Sequence, residues 1–135
     1  MMDATLMNNI HAAVEFPIDI PLEDLAIQLE GVLGGLSFER EETGRFEEVP
    51  AFVAQQSGMT FILFGLPANE LGDAFVLELS AETPLALQEF QKTVSEFVGG
   101  ILSDKEINSR GYFDYSDELA NALRSVGMEG CKAIS

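Results

Sequence analysis

Basic side chains are what this sequence has least of. Its 135 residues hold 7 Lys and Arg against 23 Asp and Glu, a formal net charge of −16 with the single His neutral. Nucleic-acid binding draws on counterion release by a Lys/Arg surface, which 7 scattered bases do not build. Attachment to an anionic membrane is excluded on the same ground. One His and one Cys leave no material for a Cys/His zinc site or a His-dependent triad unless another chain contributes. Cys131 has no partner in the chain, so an intrachain disulfide is impossible. The longest apolar stretch, Met59–Leu66, is of strand length, well short of the roughly 18 residues a membrane span needs. The first basic residue is Arg40, so neither the positive start of a secretory signal nor the arginines of a transit peptide are present. A cytoplasmic protein is expected.

Apolar residues, by contrast, are plentiful. At 47% of the chain, with 10 Phe, they are enough to bury a core, and the low hydrophobicity that disorder requires is missing. The length is that of one domain. Met1–Asn9, rich in Met and Asn, suggests a flexible lead-in over residues 1–12, with the domain occupying 13–135.

Hydrophobic periodicity predicts the elements. Phe16–Ile20 is extended and leads to Pro21, which suits a helix start. Leu22, Leu25, Ala26, Leu29, Val32 and Leu33 then form a helical stripe that Gly34-Gly35 ends. Strands are expected at Leu36–Arg40, at Glu47–Gln55 after a hairpin at Glu41–Gly44, at Met59–Phe64, and at Asp73–Ser80. Met59–Phe64 is apolar on both faces, which suits a central strand, whereas Pro50 suits an edge or a bulge. A second helix from Pro84 carries Leu87, Phe90, Val94, Phe97, Val98 and Ile101 and ends near Asp104. Ser116 is the expected N-cap of a short third helix that Gly127 terminates. The tail Met128–Ser135 is either a last strand or frayed. The expected fold is a single α+β domain: an antiparallel sheet of about four to five strands, two main helices and the short third one.

Catalytic motifs do not occur. There is no phosphate loop, no strand–helix glycine fingerprint and no nucleophile elbow. Asp114-Tyr115-Ser116-Asp117 does not match a calcium loop. His11, placed in the lead-in with no acid beside it in sequence, is expected to be idle. No catalytic residue, metal site or cofactor is therefore assigned. Two acidic clusters are candidates for partner binding. One is Glu39, Glu41 and Glu42 across the hairpin from Glu47 and Glu48, with Arg40 and Arg45 intervening; the other is Asp114, Tyr115, Asp117 and Glu118 with Phe113 and Ser116, where aromatics adjoin carboxylates. Acids steer encounter with a basic protein and Tyr supplies contact area. Each has an ordinary explanation too. A charged hairpin tip is a solvated edge, Asp117 and Glu118 suit a helix start, and Tyr112, Phe113 and Tyr115 serve equally as core or rim packing.

The segment order over residues 16–80 resembles that of bacterial toxin-immunity proteins. Its components are helix Pro21–Leu33, strand Leu36–Arg40, then Glu48-Val49-Pro50-Ala51-Phe52-Val53-Ala54, the Ser57-Gly58 turn and Phe61–Pro67. It is similar to the small acidic partners of contact-dependent inhibition and other polymorphic toxins. The resemblance lies in layout and carries over no contact residues. It implies a cytoplasmic, non-catalytic protein that neutralises a cognate toxin domain, often a basic nuclease, by stoichiometric binding. The alternatives are a secretion chaperone, whose plan fits the 30 or so residues after the second helix poorly, or another acidic protein-binding adaptor.

Overall fold

The computed structural model describes residues 8–18, 20–34, 36–40, 51–56, 58–65, 74–103 and 105–134. Within them the chain runs β1 (Asn8–Pro17), α1 (Leu22–Leu33), β2 (Glu39–Arg40), β3 (Ala51–Gln56), β4 (Met59–Phe64) and β5 (Ala74–Thr83). It continues α2 (Leu87–Phe90), α3 (Glu96–Ile101), β6 (Phe113–Asp114), α4 (Ser116–Ser125) and β7 (Lys132–Ala133). The expected α+β single domain is what forms, with seven described strands rather than four or five. Glu41–Pro50, Leu66–Asp73, Asp19, Gly35, Ser57 and Asp104 lie outside the described residues, and with them the predicted hairpin tip.

One sheet holds the fold together, in the order β2-β3-β4-β5-β1-β6, with β7 also on β1. The run β2 to β5 is the expected antiparallel meander. Phe61 faces Ala54 and Leu79, and Leu63 faces Phe52 and Leu77. Alternation sends Met59, Phe61 and Leu63 to one face, where all three are fully buried. Phe75, Leu77 and Leu79 of β5 join them there, beside Ile10, Ala12, Val14 and Phe16 of β1. The helices cover this face. Helix α1 contributes Leu22, Leu25, Ala26, Leu29 and Leu33, and α4 contributes Leu119, Ala120 and Leu123. Gly34, at φ +81°, takes the left-handed turn that ends α1.

Three expectations need correction. The first concerns the lead-in, which from Asn8 onward is a ten-residue strand paired with β5 along its whole length, Asn8 against Thr83 through Pro17 against Ala74. Ile10, Ala12, Val14 and Phe16 carry the period of two; the weak strand formers Asn8, Asn9, Ala12 and Ala13 concealed it. The sheet is accordingly mixed, since β6 runs parallel to β1.

The second concerns the long helix expected from Pro84 to Asp104, which is two short ones. Thr93 bonds its hydroxyl back to Phe90 O at 2.8 Å. Ser95 then starts α3 as its N-cap, its Oγ accepting from Val98 N–H at 3.3 Å. Ser95 is also held from outside: its hydroxyl donates to Leu33 O at 2.5 Å, and its N–H to Gln56 Oε1 at 3.2 Å. These bonds outweigh helix continuity, yet Leu87, Phe90, Val98 and Ile101 still reach the core. The two long helices are therefore α1 and α4.

The third is a shift of one residue. Tyr115 occupies the N-cap position of α4, and Ser116 is its first residue. The chain end includes a last strand, β7, against β1 at Val14 and Glu15. No helix among the described residues is long and apolar enough to cross a membrane.

Because Phe61 is fully buried at the centre of the sheet, Phe61→Ala removes its burial and leaves a cavity. It should cost about 3–5 kcal/mol of stability, read by denaturant titration. An unchanged midpoint would contradict the packing described.

Candidate functional site

The described helices contribute to the core on one face of the sheet; the opposite face carries none of the core cluster, though Ala51 and Ala13 on it are buried. Alternation places Val53, Ile62, Phe64 and Val76 there; each is half-buried, and Val53, Ile62 and Val76 are outside the core cluster and the described residues packed against it. The register sets these side chains in rows with carboxylates and with two buried alanines, Ala13 facing Glu78 and Ala51 facing Phe64. Glu39, Val53, Ile62 and Glu78 are successive cross-strand neighbours from β2 to β5. The adjacent row runs Phe64, Val76, Glu15 and then Lys132. Side chains directly opposite are about 4.5–5.5 Å apart at Cβ, so the result is a short apolar stripe fringed by Glu39, Glu78 and Glu15. The reading of Met59–Phe64, apolar on both faces, as a central strand holds, since β4 lies between β3 and β5 with Phe61 and Leu63 fully buried; what it did not give is that Ile62 and Phe64 on the other face are only half-buried.

Toward the Asn9 end the same face turns polar. The third row is Thr60, Ser80 and His11, and the fourth includes Glu82 against Asn9. His11 is no idle lead-in residue: its Nε2 lies 3.9 Å from Glu78 Oε1, and its ring is 5.2 Å from that of Tyr112. Acids distant in sequence reach it through the strand pairing, Asp114 of β6 being its register partner. His11 Nδ1 is buried without a hydrogen-bond partner. Ser80, His11 and Glu78 bring a hydroxyl, an imidazole and a carboxylate together, but the base–nucleophile hydrogen bond that nucleophilic catalysis requires is not formed. No group of three or more His, Cys, Asp or Glu among the described residues could hold a metal ion.

Of the second predicted cluster, little is free to meet a partner. Tyr115 is fully buried, its hydroxyl donating to Ser103 O at 2.7 Å. That corrects its reading as a contact residue: it is a core side chain. Asp114 Oδ1 accepts from Ser116 N–H at 2.9 Å and Ser116 Oγ–H at 2.6 Å. Ser116 Oγ in turn accepts from Ala13 N–H at 2.9 Å, so the carboxylate ends a chain of bonds that starts on β1. Glu118 Oε2 pairs with Lys105 Nζ at 2.6 Å, and the same ammonium donates to Asp114 O at 2.6 Å and lies 4.8 Å from the Tyr115 ring centre. Asp117 alone of the four is exposed. Glu41, Glu42, Glu47 and Glu48 lie outside the described residues.

Two titration predictions follow from this geometry. Burial raises the Asp114 pKa, but the bonds from Ser116, aided by the nearby His11 and Lys105 charges, outweigh it and hold the pKa below its ordinary 3.8. A folded pKa below the unfolded one adds stability above pH 3.8 that is lost as pH falls through the lower, folded value. Asp114→Asn should therefore lower stability at pH 7, with the deficit shrinking toward pH 2 in acid melts. A pH-independent difference would contradict the assignment. Cys131 is buried, and burial pushes its thiol up to about 11 despite the lowering influence of Arg124. Only the thiolate is nucleophilic, so Cys131 should resist a thiol reagent at pH 8 in the native protein and react promptly once unfolded. Comparison with protein-family models, with curated proteins and with solved structures finds no match to the chain.

Proposed function

We propose that this protein is an immunity-type inhibitor, a cytoplasmic protein that binds and neutralises a cognate, basic toxin domain by forming a stoichiometric complex without turnover. The observation that carries the reading is the half-buried apolar stripe of Val53, Ile62 and Val76 beside Glu39, Glu78 and Glu15, on a chain of net charge −16. An interface needs desolvated apolar contact at its centre and a polar rim that excludes wrong partners. Here Glu39, Glu78 and Glu15 make the rim mainly acidic, with Lys132 opposite Glu15, and that balance favours a partner with a basic cleft, such as a nuclease. The likeness in segment order to toxin-immunity proteins points the same way. Binding is placed on the open face, with Asp117 as a peripheral, steering charge.

The test is co-purification with the product of the adjacent gene, followed by stopped-flow kinetics. A complex of fixed stoichiometry should form and abolish the toxin's activity. Association should exceed the unsteered ~10⁵–10⁶ M⁻¹s⁻¹ at low salt and fall steeply as salt rises. Ile62→Asp should raise the dissociation rate about 30-fold, as expected for a hot-spot contact of about 2 kcal/mol. Asp117→Lys should chiefly slow association. Salt-independent association, or an Ile62→Asp variant that binds normally, would overturn the reading.

A further inference from the structure

The polar end of the open face is a cleft of about 780 Å³ whose lining includes Asn9, His11, Thr60, Ser80, Glu82 and Tyr112. It is made by register. Thr60, Ser80 and His11 stand side by side on β4, β5 and β1, and Asn9 stands opposite Glu82 one row further on. Gly58, at φ +84°, turns the chain from β3 into β4 at its rim, and Tyr112 closes the far side with its ring against His11.

We infer that this cleft receives a guanidinium group, an arginine side chain presented by a protein partner. Its chemistry is one-sided. No Lys or Arg is among the described lining residues, so they offer a phosphate or carboxylate no fixed countercharge. Glu82 offers an exposed carboxylate, and Thr60, Ser80 and Asn9 offer neutral oxygens. Neighbouring strands lie about 4.8 Å apart, so these acceptors are spread over a width that suits a planar fork with five N–H donors better than a point ammonium. His11 contributes only the edge of its ring, since its Nδ1 is buried away from the cleft. Tyr112 provides a half-exposed aromatic ring of the kind on which guanidinium stacks. The guanidinium of nearby Arg110 donates to the Tyr112 hydroxyl at 3.4 Å, and Arg110 is not among the described lining residues. A volume of about 780 Å³ holds more than one side chain, leaving room for backbone on either side of the arginine. The cleft also opens onto the apolar stripe, because Thr60 and Ile62, like Ser80 and Glu78, are next-but-one neighbours on their strands.

This occupant presupposes the protein-binding role proposed above, but the site's chemistry can be tested with no partner. The probe is N-acetyl-arginine amide, titrated into the full chain and followed by amide and aromatic NMR shifts. Its neutral isostere, N-acetyl-citrulline amide, and the lysine analogue serve as controls. Saturable shifts should gather at Thr60, Ser80, His11 and Tyr112, with citrulline inert and lysine weaker. Glu82→Gln, an exposed change whose fold is checked by melting, should weaken arginine binding about tenfold. Tyr112→Leu should weaken it about three-fold; if that variant does not fold, Glu82→Gln decides. Unsaturated shifts scattered over the acidic surface, equal binding of citrulline, or full binding by Glu82→Gln would overturn the site. Arginine bound in the cleft without capture of the neighbouring gene's product would leave the site standing and remove the toxin as its source. Toxin capture with no response to the arginine probe would do the reverse.

Discussion

Strand β1 lies inside the sheet, so its N–H and C=O groups must be bonded along both edges or lose the favourable partners that water gave them. One edge is simple, because β5 runs antiparallel to it over all ten residues. The other edge is assembled from pieces. Strand β6 covers Ile10 and His11, Tyr115 N–H donates to His11 O at 2.8 Å, Ser116 Oγ takes the Ala13 N–H, and Ile134 N–H, just past the end of β7, reaches Ala13 O at 2.9 Å. A side-chain hydroxyl thus does the work of backbone in the gap between two short strands. Because Ser116 is the first residue of α4, the same bond fixes where that helix starts. Leu119, Ala120 and Leu123 then fall onto the core.

That completed edge places the chemistry of the opposite face. With β6 parallel to β1, Asp114 comes opposite His11, and Tyr112, just before β6, comes against the imidazole. Asp114 cannot serve this edge and also act as a free surface charge. Its carboxylate is held by Ser116, and the Lys105 that bonds its carbonyl also neutralises Glu118. A cluster that looks like partner recognition in sequence is therefore a clasp joining the C-terminal third to the sheet, with Tyr115 sealed beneath it.

How much of this was legible depended on whether a signal was local. The stripe Leu22 to Leu33 and its glycine stop fixed α1, and the alternation Phe75, Leu77, Leu79 fixed β5, since each pattern is complete within one segment. Strand β1 was obscured because Asn8, Asn9, Ala12 and Ala13 are weak strand formers that tertiary pairing overrode. The break at Ser95 was invisible for a different reason: its partners, Leu33 and Gln56, are 62 and 39 residues away. The open-face site failed in the same manner. Val53, Ile62, Val76, Glu15 and Glu39 come from five strands, and nothing short of the register makes them neighbours.

The scarcity of basic residues has a consequence that the fold makes directional. Self-repulsion at −16 works against compactness, and the described bases with firm contacts are spent internally. Lys105 ties Asp114, Tyr115 and Glu118 together, and Arg124 donates to Cys131 O at 2.7 Å. On the open face Lys132 stands beside Glu15, and His11 can neutralise Glu78 only when protonated. Glu39 and Glu82, which flank the apolar stripe and the cleft, have no ion-pair partner among the described residues. Bases used to close the C-terminal third cannot also quench these carboxylates. Carboxylates on this face that lack a described ion-pair partner add to a repulsion that a cationic surface docking against them would relieve.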